Sequence, residues 1–219
     1  MSKTLAIIHT TPVTVGPLKQ LANEVLSEIS IMNFMDDSIL PQLAQNGGNL
    51  NDVKERWIQY AQIAEQMGAD IILNACSSVG ELVDIAGKVV KVPIVRIDKA
   101  MAEEAIKRGT KIGVIATLST TMNPTLNLLK ATAKKREKKV DFLPDLVEEA
   151  YKLLISGDQK GHDDLLVEHM SNLSERSDIV VLAQASMARA VPLLAKKQQR
   201  KFLTSPKFGI MSVKQILEE

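Results

Sequence analysis

The chain carries a single cysteine, Cys76, inside the stretch DIILNACSSVG from Asp70 to Gly80. A thiol ionises far more readily than a hydroxyl, so it can act as acid, base or nucleophile. Ser77 and Ser78 follow at once and would begin a helix, whose free N–H groups favour a thiolate. The Cys76 pKa is therefore expected to fall from about 8.5 toward neutrality. The competing reading is a small buried hydrophobe. Other polar side chains fall after apolar runs in the same way: His9-Thr10-Thr11, Asp36-Asp37, Asp98, Thr117 with Ser119-Thr120-Thr121, Gln184-Ala185-Ser186, and Thr204-Ser205. Small hydroxyls beside helix-start N–H groups suit a carboxylate or another small oxyanion. His9 reads equally as a general base, a neighbour tuning the thiol, or a structural histidine. Asp37 reads as a substrate contact or base, or as a helix cap together with its neighbour.

These residues need elements to position them. Short β-branched runs mark strands over Leu5–His9, Ile29–Phe34, Ile71–Ala75, Ile94–Ile97, Ile112–Ala116, Val140–Leu143, Ile179–Ala183 and Phe202–Thr204. Longer amphipathic stretches separate them. In NDVKERWIQYAQIAEQMGAD, Val53, Trp57, Tyr60, Ile63 and Met67 recur at helical spacing and Gly68 supplies the stop. Strand–helix alternation predicts an α/β fold with parallel sheets covered on both faces. Ligands of such sheets bind beyond the carboxyl ends of the strands, which is where the polar residues above fall.

The chain also repeats itself. DIVVLAQASMA, from Asp178 to Ala188, follows the pattern of the Cys76 stretch at an offset of 108 residues, with Gln184 in place of the cysteine. PIVRID at Pro93 meets KFLTSP at Lys201 at the same offset, and LAIIHTTPVT at Leu5 meets IGVIATLSTT at Ile112 at 107. Three elements in one order predict two similar α/β halves, residues 1–98 and 99–204, with 205–219 packing back on the first.

Composition narrows the partners. The formal net charge of +1 and 3% aromatic residues give no footprint for nucleic acid. The basic runs Lys134–Lys139 and Lys196–Lys201 read as solvated helix ends and turns. His162 and His169, in the charged stretch GHDDLLVEHM, are expected at the surface. One cysteine and three scattered histidines offer no metal-ligand spacing. Neither Gly-x-Gly-x-x-Gly nor a Gly-Lys-Ser/Thr loop is present, which argues against dinucleotides and nucleoside triphosphates. The apolar run Leu5–Ile8 is too short for a signal peptide or membrane span, and a lone cysteine suits a reducing cytoplasm.

Two α/β halves with NACSS in one and LAQASMA in the other resemble the aspartate/glutamate/hydantoin racemase superfamily, closest to its hydantoin-racemase-like branch. The resemblance spans essentially the whole chain, including IGVIATLSTT and FLTSP. It implies a site in the cleft between the halves and a cofactor-independent reaction. In that family, one thiolate removes the proton alpha to a carboxylate while a thiol opposite donates to the other face. By position Cys76 matches the first cysteine, and Ser77, Ser78, Thr117 and Thr120 match residues that hold the substrate carboxylate. Gln184 falls on the second cysteine, in Ala183-Gln184-Ala185-Ser186-Met187 where the family has Gly-Cys-Thr-His or Gly-Cys-Ala-Gly-Met. An amide does not titrate in water, so a two-thiol mechanism is excluded. Gln184 could instead orient a carboxylate or stabilise an enediolate. The expectation is a racemase- or isomerase-like enzyme acting on a small carboxylate, amino acid or hydantoin-like compound. A one-thiol decarboxylase, lyase or cis–trans isomerase, and a carboxylate-binding protein without catalysis, are the alternatives. A homodimer or higher homo-oligomer is the assembly the family suggests.

Overall fold

Period-two alternation in the first strand sets up two apolar layers. A computed structural model describes residues 3–26 and 28–219. It divides into one unit of residues 1–99 with 206–219 and another of residues 100–205. In the first unit, β1 (Thr4–His9) is followed by α1 (Val15–Val25), β2 (Ser30–Met35), α2 (Ile39–Gln45), α3 (Asn51–Gln66), β3 (Ile71–Asn74), α4 (Leu82–Ala86) and β4 (Ile94–Arg96). The four strands are all parallel in the order β2-β1-β3-β4. Ala6, Ile8 and Ile72 face a layer with Trp57, Leu43 and Leu82, while Leu5, Ile7, Ile71 and Leu73 face Leu18, Ala22 and Ile97. Burial on both faces is why these strands read as continuous apolar runs.

The second unit holds β5 (Lys111–Ala116), α6 (Ser119–Lys135), β6 (Asp141–Leu146), α7 (Glu148–Ile155), α8 (Gln159–Glu175), β7 (Ile179–Leu182), α9 (Lys196–Gln199) and β8 (Phe202–Thr204), after α5 (Lys99–Arg108). Its sheet is also parallel, in the order β6-β5-β7-β8, which is the order of the first sheet. Gly113 lets α8 lie directly on β5, because a Cβ there would stand 2.6 Å from Leu173 Cγ. The last helix, α10 (Ser205–Glu218), places Ile210 and Val213 in the layer formed by Leu5, Ile7 and Leu73 of the first unit.

Several expectations need correction. The second strand runs Ser30–Met35 rather than Ile29–Phe34, and the sixth runs Asp141–Leu146 rather than stopping at Leu143. His162 is buried within α8 rather than at the surface, at 1% exposure. Its Nδ1 lies 2.8 Å from Asp163 Oδ1, and Arg189 Nε donates to the same oxygen at 3.0 Å. His169 is partly exposed, with Nδ1 3.0 Å from Asp145 Oδ2. The two basic runs do lie at helix ends and turns. Lys134 and Lys135 close α6, and Lys201 Nζ donates to the carbonyls of Ser174 and Ser177 near the end of α8 at 2.6 and 3.0 Å. Among the described residues no helix is long and apolar enough to cross a membrane.

Candidate functional site

In the first unit the chemistry gathers where β1 and β3 end. Ile8 pairs with Asn74, and the Ala75 N–H donates to the Ile8 carbonyl at 3.0 Å. Two residues past that pair stand Thr10 and Cys76, just beyond the ends of neighbouring strands. Asn74 is fully buried, and its Nδ2 donates to the Cys76 carbonyl at 2.9 Å, fixing the turn that carries the sulfur. Cys76 has extended backbone and is half-buried. Ser77–Val79 after it form a single 3-10 turn, not the start of a long helix.

That difference overturns the expected fall in the Cys76 pKa. Burial dominates and pushes the Cys76 thiol up from its ordinary value instead of down. Four donors oppose it: the Thr10 hydroxyl first, then the Ser78 N–H, the Ser78 hydroxyl and the Val79 N–H. One 3-10 turn has too few aligned peptides to offset burial as a long helix could. Thr10, Ser77 and Ser78 are all buried, whereas Thr11, like Cys76, is half-buried.

His9 is fully buried and points to other partners. Its Nδ1 lies 2.8 Å from Thr14 Oγ1 and its Nε2 3.0 Å from Asn33 Oδ1. Burial lowers its pKa, against a smaller upward effect of the Asn33 bond. Both ring nitrogens are thus committed within β1, β2 and the turn after β1. Asp37 is exposed. Its neighbour Asp36 is the carboxylate built into the fold. Although burial alone would raise its pKa, hydrogen bonds from Ser38 and Tyr60 and the Arg56 charge hold it below the usual value. Arg56 Nε lies 2.7 Å from Asp36 Oδ2, and Tyr60 donates to the same oxygen at 3.1 Å.

Under the Cys76 turn lies an ion pair that the sequence did not single out. Arg96 Nε donates to Asp98 Oδ1 at 2.6 Å and its second guanidinium nitrogen to Oδ2 at 3.2 Å, with Asp98 fully buried. The guanidinium occupies the space a side chain at Gly80 would need, 2.3 Å from an added Cβ. Asp98 was visible as a strand-end acid. Its partner, like Thr14, Asn33 and Asn74, had no signal beyond a polar residue beside an apolar run.

The second unit repeats the arrangement with different chemistry. Ile115 pairs with Leu182, and the Ala183 N–H donates to the Ile115 carbonyl at 3.0 Å. Two residues on, Gln184 grips Thr117 twice: the Thr117 N–H donates to Oε1 and Nε2 donates to the Thr117 hydroxyl, both at 2.7 Å. Thr117 and Thr121 are buried, and Thr120 is half-buried with a hydroxyl that has no partner among the described residues. Ala185 and Ser186 are half-buried and open the 3-10 stretch Ala185–Leu193. Among the described residues no group of three or more His, Cys, Asp or Glu side chains gathers to hold a metal.

The family profile described as Asp/Glu/Hydantoin racemase matches residues 10–212. The chain belongs to this family. Solved structures agree in fold. An aspartate racemase homologue from Pyrococcus horikoshii is 19% identical, with each chain covered in full and a TM-score of 0.68. Glutamate racemase from Francisella tularensis, solved with D-glutamate, is 15% identical over 99% of this chain and 81% of its own, at a TM-score of 0.76. Allantoin racemase from Klebsiella pneumoniae is 14% identical over 99% and 88%, at 0.66. No curated protein matches the sequence. Family membership supports an enzyme of the racemase or isomerase type.

Proposed function

We propose that this family member is a cofactor-independent enzyme in which Cys76 transfers a proton at the carbon alpha to a carboxylate, on one face of the substrate. The substrate is a small carboxylate, amino acid or hydantoin-like compound, and the hydroxyls and N–H groups of the Ser77–Val79 turn receive its carboxylate. The observation that carries this reading is the contrast between the two strand-end positions. Cys76 is ringed by hydroxyl and N–H donors that favour a thiolate, while Gln184 is a non-titrating amide already bonded twice to Thr117. His9, with both ring nitrogens engaged, is not available as a second base. One acid/base group suits protonation of a carbanion, as after decarboxylation, or a one-face isomerisation better than exchange of the two hands of a substrate.

The test is incubation in D2O with a panel of amino acids, hydantoins and 2-substituted malonates, followed by NMR. Deuterium is expected at a single position with one stereochemical sense, and Cys76→Ala is expected to lower the rate at least about 100-fold. Undiminished turnover in Cys76→Ala would refute the assignment. The upward push on the thiol favours a second reading, a carboxylate-binding protein whose Cys76 stays protonated. That reading predicts thermal stabilisation by a panel member with no deuterium incorporated.

A further inference from the structure

We propose that Thr10 holds the Cys76 thiolate, as a positioning residue for the sulfur rather than a ligand of the substrate. The geometry comes from register. Thr10 and Cys76 lie two residues beyond the Ile8–Asn74 pair, and Thr117 and Gln184 lie two residues beyond the Ile115–Leu182 pair. In the second unit that placement brings side chains into contact, with the Gln184 amide on the Thr117 hydroxyl and N–H at 2.7 Å each. The same placement in the first unit sets Thr10 and Cys76 just past the ends of two paired neighbouring strands.

The direction of the bond differs between the two. Thr117 Oγ1 accepts from Gln184 Nε2. Thr10 Oγ1 is buried, at 2% exposure, and has no hydrogen-bond partner among the described residues. A buried hydroxyl left in that state is costly unless something accepts its proton. A thiolate is a suitable acceptor, and a donated hydrogen bond is worth more to the charged sulfur than to the thiol. Burial opposes ionisation of Cys76, and the Thr10 hydroxyl is the foremost of the groups that pull against it. When the thiolate takes a proton from carbon, the S–H bond forms as the C–H bond breaks, and Thr10 keeps its own hydrogen throughout. Its contribution is to the thiolate before that transfer.

This inference rests on the reading of Cys76 as a working thiolate, but its test needs no substrate. The rate of iodoacetamide alkylation of Cys76 against pH gives the thiol's midpoint directly. Thr10→Val removes the hydroxyl at nearly constant shape, and the midpoint is expected to rise by about one unit, slowing alkylation about tenfold below it. Thr10→Ser keeps a donor and is expected to bring the midpoint back to within about a third of a unit. Thr10→Ala carries the same expectation as valine if the valine variant does not fold. An unmoved midpoint in the folded variant lacking the hydroxyl overturns the proposal, as does a serine variant shifted as far as the valine one. A moved midpoint in a protein that exchanges no deuterium leaves the Thr10 assignment standing and removes only the reaction proposed above. An unmoved midpoint removes Thr10 alone, even where Cys76→Ala abolishes exchange.

Discussion

His9 shows how a histidine at a strand end can serve the fold instead of a reaction. Burial lowers its pKa below 6.5, so the folded chain keeps the ring neutral while the unfolded chain protonates it near the ordinary value. Below that value the unfolded state binds more protons, so stability rises with pH across the window between the two values. The stability tied to neutral His9 is thus complete above about pH 6.5 and drains away as the pH falls toward the folded value. His9→Gln removes this titration. Thermal melts from pH 7.5 to 5 are expected to show a shallower decline for the variant than for the parent chain. Parallel curves would mean that His9 ionises as easily in the fold as outside it. Cys76 and Gln184 complete the residue-scale contrast. Similar turns in similar registers carry one titrating and one non-titrating group, and the threonine opposite each takes the complementary hydrogen-bonding role.

Elements explain which parts of this arrangement could be read from the chain. The strands on both sheets' inner positions were legible because double-sided burial demands unbroken apolar runs such as Leu5–Ile8 and Ile71–Leu73. The outer strands β2 and β6 were misplaced at their ends. Each has one partner strand and a half-exposed pattern, so β6 tolerates Pro144 and Asp145 that read as the end of a strand. Cys76 was legible as the single thiol at a strand end. Its surroundings were not, because Thr10 and Arg96 meet it or its turn only through pairing of distant strands. The chain's glycines divide in the same way. Gly209 lets α10 approach Ile97, where an added Cβ would stand 2.7 Å from Cγ1 and 3.1 Å from the Ile97 Cα and carbonyl oxygen. Backbone cannot yield as a side-chain tip can. Gly209→Ala is expected to cost about 1–3 kcal/mol of overpacking, more than the helix-propensity gain of up to about 1 kcal/mol. Gly16→Ala in α1, where nothing lies within 4 Å, is expected to be neutral or stabilising. Urea unfolding of both variants checks the pair, and equal midpoints would show that α10 is held less tightly against Ile97 than its contacts imply.

At the scale of the whole molecule, the chain order and the packing order differ. The first unit is not complete until residues 206–219 return to it, after the entire second unit has been made. Ile210 and Val213 are fully buried in its layer with Leu5, Ile7, Leu73 and Ile97. Two buried aliphatic side chains contribute about 1.5–3 kcal/mol each, a large share of a domain's total of about 5–15 kcal/mol. Cys76 therefore depends for its setting on a helix more than a hundred residues away in sequence, although no residue of that helix after Ser205 was singled out for chemistry. A chain ending at Ser205 tests this dependence by hydrogen exchange under native conditions. Amides of β1 and β3 are expected to lose most of their protection and Cys76 to alkylate faster. The β5 and β7 amides, whose layer draws on α8 and the Ala185–Leu193 stretch, are expected to retain theirs. Equal loss across both sheets would mean that the two units open in one cooperative step, and the apolar layer closed by α10 would then be a support for the whole chain rather than for the thiol's unit alone.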